Sequence, residues 1–186
     1  REGGLAGGFF ALFVPGDVPR SVRGSRPDRP APVGPIDADH ALTRTLHMLA
    51  LLRRLGDRGV LRVCRDADEV EAAMADDVLA AVPHIEGAEA VVDDEVLEVL
   101  HALGLRSLGP VWSRPNAYAT GVPFAFPGSP DVGPGLTVAG RELVEACDRL
   151  RIVLDVSHLN EAGFWEVLER SQRPVVASHS NAHALC

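Results

Sequence analysis

Two stretches of this chain end in the same way. "IVLDVSH" closes on His158 and "PVVASH" closes on His179, 21 positions later. In each, an apolar run stops at a Ser-His pair, Ser157-His158 and Ser178-His179. A third apolar run, "VLAAVPHIE", ends on Glu86. Imidazole nitrogen and carboxylate oxygen are suitable donors for Zn²⁺ or a related divalent ion. A lone His at a strand end is more often a hydrogen-bonded structural residue. Two in matching positions, with a third run ending in Glu, make Glu86, His158 and His179 a candidate metal set beside that structural reading.

Other residues are candidates for supporting roles. His84 shares a strand face with Glu86 by the period of two, and Asp155 sits in the apolar run before His158, where a buried carboxylate needs partners. Either can orient a metal ligand from behind. His183, in "SNAHAL", follows the last apolar run and can line the site. His40, His47 and His101 fall on helical segments and read as solvated. Ser157 and Ser178 lack the G-x-S-x-G turn of a hydrolase nucleophile. "GGLAGG" lacks the G-x-G-x-x-G order and follows no strand, which excludes a dinucleotide loop.

Elements must bring these residues together. Apolar runs at 8–14, 60–63, 78–85, 105–112, 152–156 and 174–177 read as strands. Helical spacing marks 36–55, 66–75 and 93–103, a helix from Thr137 to about 150, and one over 161–170 capped by Asn160. The acidic runs at 66–77 and 93–98 read as caps and solvated faces. Continuously apolar strands alternating with helices predict a parallel sheet covered on both faces. In such sheets functional groups gather at the carboxyl ends of the strands. The stretches 15–35 and 113–136 are rich in Pro and Gly and read as loops. The second leaves a strand's carboxyl end, so it is expected to lie over the site, with Tyr118, Phe124 and Phe126 covering an apolar substrate group.

Composition narrows the class. With 186 residues, 46% hydrophobic and 24% charged, the chain is long enough for one soluble globular domain. A net charge of −8 argues against a nucleic-acid surface. Lys is absent and every basic side chain is Arg, a bias of base composition. Cys64, Cys147 and Cys186 are odd in number and form no C-x-x-C pair, so a reducing, cytoplasmic compartment is expected. No apolar run is long enough to span a membrane. The chain opens on "REGGLAGGFFALFVP" without Met and stops just after a strand, so it reads as a single partial domain over 1–186, cut at both ends.

The segments "GGLAGGFFALFVP", "HIEGAEA", "LGLRSL", "GPGLTVAGRELVEACDRL" and "IVLDVSHLNEAGFWEVLERSQRPVVASHSNAHALC" together resemble the membrane (renal-type) dipeptidase family, peptidase family M19, over nearly the whole chain. The resemblance implies an α/β fold, here an incomplete (β/α)₈ TIM barrel. It implies a zinc-dependent hydrolase of small dipeptide-like substrates, in which a hydroxide shared by two zinc ions attacks the peptide carbonyl. By the same resemblance Glu86 bridges the two ions, and His158 and His179 bind one of them. The other ion's His and Asp come from an H-x-D motif before Arg1, and a substrate-binding Arg and a later Asp come after Cys186. The piece on its own is therefore expected to be inactive, and its open strand edges to favour a homodimer. Where the family commonly has a substrate-contacting His, "VWSRPN" places Trp112. That keeps open an amidohydrolase-type barrel acting on another amide or a lactone; the other alternative is an inactive metal-binding fragment.

Overall fold

The computed structural model describes residues 3–16, 34–123 and 128–180. Within them strands and helices alternate: β1 (Gly7–Phe13), α1 (Ala38–Asp57), β2 (Arg62–Val63), α2 (Ala67–Ala75), β3 (Ala80–Glu86), α3 (Asp94–Ala102), β4 (Ser107–Gly109), α4 (Val138–Leu150), β5 (Val153–Leu154) and α5 (Glu161–Arg170). The strands pair in parallel in the order β1-β3-β4-β5, as the alternation predicts.

β3 organises the sheet. One edge pairs with β1 along its length, from Gly7 opposite Ala80 to Phe13 opposite Glu86. The other edge is shared. The Leu79 and Ala81 carbonyls accept from Arg62 and Cys64 beside β2, and the Pro83 carbonyl accepts from Arg106 at the start of β4. Pro83 has no N–H to return, so the ladder with β2 stops there and β4 takes over. A proline inside a strand is thus placed where the edge changes partner.

The two faces of β3 differ. Ala81 and Ile85 join the main core with Leu49 and Leu52 of α1, Leu97 and Leu100 of α3, and Val144 and Cys147 of α4. Ala80, Val82, His84 and Glu86 alternate onto the other face. There Ala80 and Val82 pack with Cys64, Val70 and Ala73. His84 stacks on Phe9 of β1 at 5.5 Å between ring centroids. The polar residues then continue toward the carboxyl end.

Each α-helix begins with a side-chain cap: Asp37, Asp66, Asp93, Thr137 and Asn160 each accept from the backbone N–H three residues on. The strands are shorter than their apolar runs. β4 ends at Gly109 because Pro110 has no N–H for the ladder. The run at 174–177 contributes one parallel bridge, Val176 to Asp155, with Val156 N donating to Val176 O at 2.8 Å and Val176 N to Leu154 O at 2.9 Å. It takes the next position in the sheet beyond β5. Cys64 and Cys147 are buried free thiols, and Cys186 lies outside the described residues. Among the described residues no helix is long and apolar enough to cross a membrane.

Candidate metal centre

Glu86 is the last residue of β3. Gly87 follows at φ 93°, a conformation that disfavours any side chain, and a Cβ there would meet Glu89 Oε2 at 2.5 Å. His158 and His179 stand at equivalent places. Asp155 pairs with Val176 in parallel, and each His follows its paired residue by three. The repeated Ser-His is therefore one strand-end position used on adjacent strands. At His158 the turn takes φ 69°, which is uncommon outside Gly. The loop 113–136 braces it: Val122 N donates to His158 O at 2.8 Å, and Gly121 pairs antiparallel with Leu159.

The three expected donors converge, with one ligand atom from each lying within 4.8 Å of the others. His158 Nε2 is 3.0 Å from Glu86 Oε1, His179 Nε2 is 3.4 Å from the same oxygen, and the two Nε2 atoms are 2.7 Å apart. Two nitrogens and a carboxylate oxygen close together, with one imidazole partly exposed to solvent, are the donor chemistry that zinc takes with a position left free. The residues fit the ion. The bond from His158 holds the Glu86 carboxyl below its usual range against the opposing effect of burial. Glu86 is therefore anionic at neutral pH.

Behind the donors lies a polar layer. Asp155, 1% exposed, accepts from the backbone N–H of Ser157 at 3.0 Å and of Ser178 at 3.2 Å, both on Oδ1, and from the Ser178 hydroxyl on Oδ2. Burial pushes the Asp155 carboxyl up, but these bonds from Ser178 and Ser157 outweigh it and leave it below the usual range. Ser178 Oγ lies 2.7 Å from His179 Nδ1, and Ser113 Oγ lies 2.9 Å from His158 Nδ1. His84 sits beside this layer, with Nε2 3.6 Å from Asp155 Oδ2 and Nδ1 3.0 Å from Ser107 Oγ. Burial lowers its pKa despite Asp155, so it is neutral. The serines were not singled out by the sequence as partners of His, although each Ser-His doublet carried the signal.

The remaining expected residues divide. Trp112 stands at the site, its ring 6.1 Å from that of His158 and 5.0 Å from Phe13. Tyr118 does not line it. It is a core residue whose hydroxyl donates to Val91 O, and burial pushes its pKa up to about 12. Phe124, Phe126 and His183 lie outside the described residues. One feature of the rim was not foreseen: buried Arg114 donates from Nε to Glu89 Oε1 at 2.8 Å and from an NH2 group to Val14 O at 3.1 Å. It ties together the chain ends that leave β1, β3 and β4.

The family model "Membrane dipeptidase (Peptidase family M19)" matches residues 1–186. An uncharacterized protein from the pqqA 5′ region of Klebsiella pneumoniae is 46% identical over 141 residues, covering 74% of this chain and 52% of that protein. A Rhodobacter sphaeroides metallo peptidase, solved with a phosphinate mimic of the dipeptide L-Ala-D-Ala, is 48% identical at a TM-score of 0.88, covering 98% of this chain and 55% of that one. A solved metallo peptidase of family M19, dipeptidase AC, is 49% identical at a TM-score of 0.87, covering 98% and 54%. The chain spans about half the length of these proteins. Its parallel sheet and helices are an arc of the TIM-barrel-like fold of those dipeptidases. This chain belongs to the membrane dipeptidase family, peptidase family M19.

Proposed function

We propose that Glu86, His158 and His179 hold a zinc ion at the carboxyl ends of β3, β5 and the strand position of Val176, and that the whole protein hydrolyses a small dipeptide-like substrate there. The observation that carries this reading is the convergence of one carboxylate and two imidazoles, far apart in sequence, within 4.8 Å. The family and the bound L-Ala-D-Ala mimic of the Rhodobacter sphaeroides peptidase support a dipeptide, including one with a D-residue at its carboxyl end.

The metal would supply a Lewis acid for the scissile carbonyl and lower the pKa of an attacking water. Glu86 contributes the negative charge that holds the ion. His158 and His179 offer Nε2, with Nδ1 of each held by a serine. Trp112 cannot accept a proton or bind metal. With Phe13 it forms an apolar wall beside His158, suited to a small side chain and to excluding water.

The test is metal content and turnover of the full-length protein and its Glu86→Gln, His158→Ala and His179→Ala variants, with L-Ala-D-Ala and L-Ala-L-Ala as substrates. Each variant is expected to lose bound zinc and, with it, activity. Full zinc occupancy in His158→Ala or His179→Ala refutes the ligand assignment. A zinc-loaded protein that cleaves no dipeptide but opens another amide or a lactone replaces the dipeptidase reading with the amidohydrolase one, which Trp112 keeps open.

A further inference from the structure

We infer that Asp155, acting through the Ser178 hydroxyl, decides which nitrogen of His179 carries its proton, and so keeps His179 Nε2 open as a metal donor. The inference rests on the reading that His179 binds the ion. It follows from counting donors and acceptors.

Ser178 Oγ has one hydrogen and, among the described residues, two hydrogen-bonding neighbours, Asp155 Oδ2 and His179 Nδ1. An ionised carboxylate only accepts. The hydroxyl hydrogen therefore goes to Asp155, and toward His179 the oxygen can only accept. His179 must then donate from Nδ1, which leaves Nε2 with a bare lone pair. That nitrogen is the one facing Glu86 Oε1 and His158 Nε2. His179 is thus preset for a cation before one arrives. Orienting partners of this kind are worth ten- to a hundredfold in metal affinity. At His158 the same count gives the opposite tautomer in the metal-free protein: Nε2 faces the anionic Glu86 Oε1 and the bare His179 Nε2, so it carries the proton, and Nδ1 accepts from Ser113 Oγ. Asp155 and Ser178 are positioning residues, not ligands.

The same count predicts that Asp155→Asn is worse than a neutral swap. Two backbone donors, Ser157 N and Ser178 N, converge on Oδ1 and require an acceptor there. The new amide must keep its oxygen at that position, so its NH₂ faces Ser178 Oγ and, beyond it, His84 Nε2. The amide then donates to Ser178, whose hydrogen turns to His179 Nδ1. The proton of His179 moves to Nε2, and the metal donor is lost without removing any ligand.

The experiment uses the full-length protein with ¹⁵N-labelled histidine. Long-range ¹⁵N–¹H spectra of the metal-free protein report the His179 tautomer, and competition with a chelator reports zinc affinity. Wild type is expected to show protonated Nδ1, and Asp155→Asn protonated Nε2. Zinc affinity is expected to fall about 10–100-fold in Asp155→Asn and Ser178→Ala, and to be retained in Ser178→Thr, which keeps the hydroxyl. Protonated Nε2 in the wild type overturns the inference, as does a tautomer unchanged by Asp155→Asn. If Asp155→Asn does not fold, equal affinities of Ser178→Ala and Ser178→Thr overturn it. A wild type with the expected tautomer that binds no zinc refutes the metal assignment and leaves the relay standing.

Discussion

Asn160 fastens the second half of the 113–136 loop to the N-terminus of α5, and removing it has a calculable cost. The residue is fully buried and caps α5 by accepting from Gly163 N at 3.0 Å. Its amide nitrogen faces three carbonyls, Val132 at 2.5 Å, Gly133 at 3.2 Å and Pro134 at 3.0 Å, with two hydrogens to share. Asn160→Ala removes the cap, about 1 kcal/mol, and two amide hydrogen bonds of about 1 kcal/mol each. The expected loss is about 3 kcal/mol by those two contributions. Asn160→Ser keeps a capping oxygen and is expected to lose about 2 kcal/mol, the amide share alone. Asn160→Asp keeps the cap too, but turns an anionic oxygen toward three carbonyl oxygens, so it should be the least stable of the three. Urea unfolding of the metal-free full-length protein gives the order wild type, Ser, Ala, Asp. A loss below about 1 kcal/mol for Asn160→Ala, or an Asp variant as stable as the Ser one, would refute this reasoning.

Two further predictions concern charge. Arg114 is 2% exposed, and among the described residues one of its guanidinium nitrogens has no hydrogen-bond partner, so its pairing with Glu89 carries the burden of a buried charge. Glu89→Gln should cost about 3–5 kcal/mol, as for other buried pairs broken at one partner, and Arg114→Met added to it should recover part of the loss in a double-mutant cycle. Glu86 and Asp155 both have lowered carboxyl pKa values, Glu86 chiefly through His158 and Asp155 through the serine bonds that outweigh its burial. Their stabilisation is present above the unfolded values, about 4.3 and 3.9, and is lost as pH falls through the folded ones. Unfolding of the metal-free protein should therefore show stability falling below about pH 4, and less steeply in Glu86→Gln.

What the sequence made legible was whatever depends on one segment at a time. The convergence of Glu86, His158 and His179 could be read because an apolar strand hides its own backbone and delivers its next polar residue to the carboxyl end. Thr137 and Asn160 could be read as caps because a cap bonds within its own first turn. Strand lengths were overestimated where the ladder has a gap that hydrophobicity does not record, as at Pro110. The run at 174–177 is as apolar as a strand but has one paired residue, because pairing depends on what neighbours it. Tyr118 was assigned to the substrate space because it lies in a loop. Its hydroxyl reaches Val91, 27 residues back, and no local pattern encodes that contact. The same holds for Ser113 with His158 and Arg114 with Glu89.

The left-handed turn at His158 has a consequence for how such a protein can diverge. Barrel loops are commonly exchangeable parts, traded without touching the framework beneath. Here Gly121 and Val122 hold the backbone of His158, and Ser113 holds its ring. Anything that rewrites this loop to admit a new substrate also rewrites the seat of a proposed ligand. A library randomised over residues 113–123 should lose metal retention before it gains new specificity, while changes at Trp112 remain separable. Natural drift in this lineage would then favour small substitutions on the wall over wholesale loop exchange.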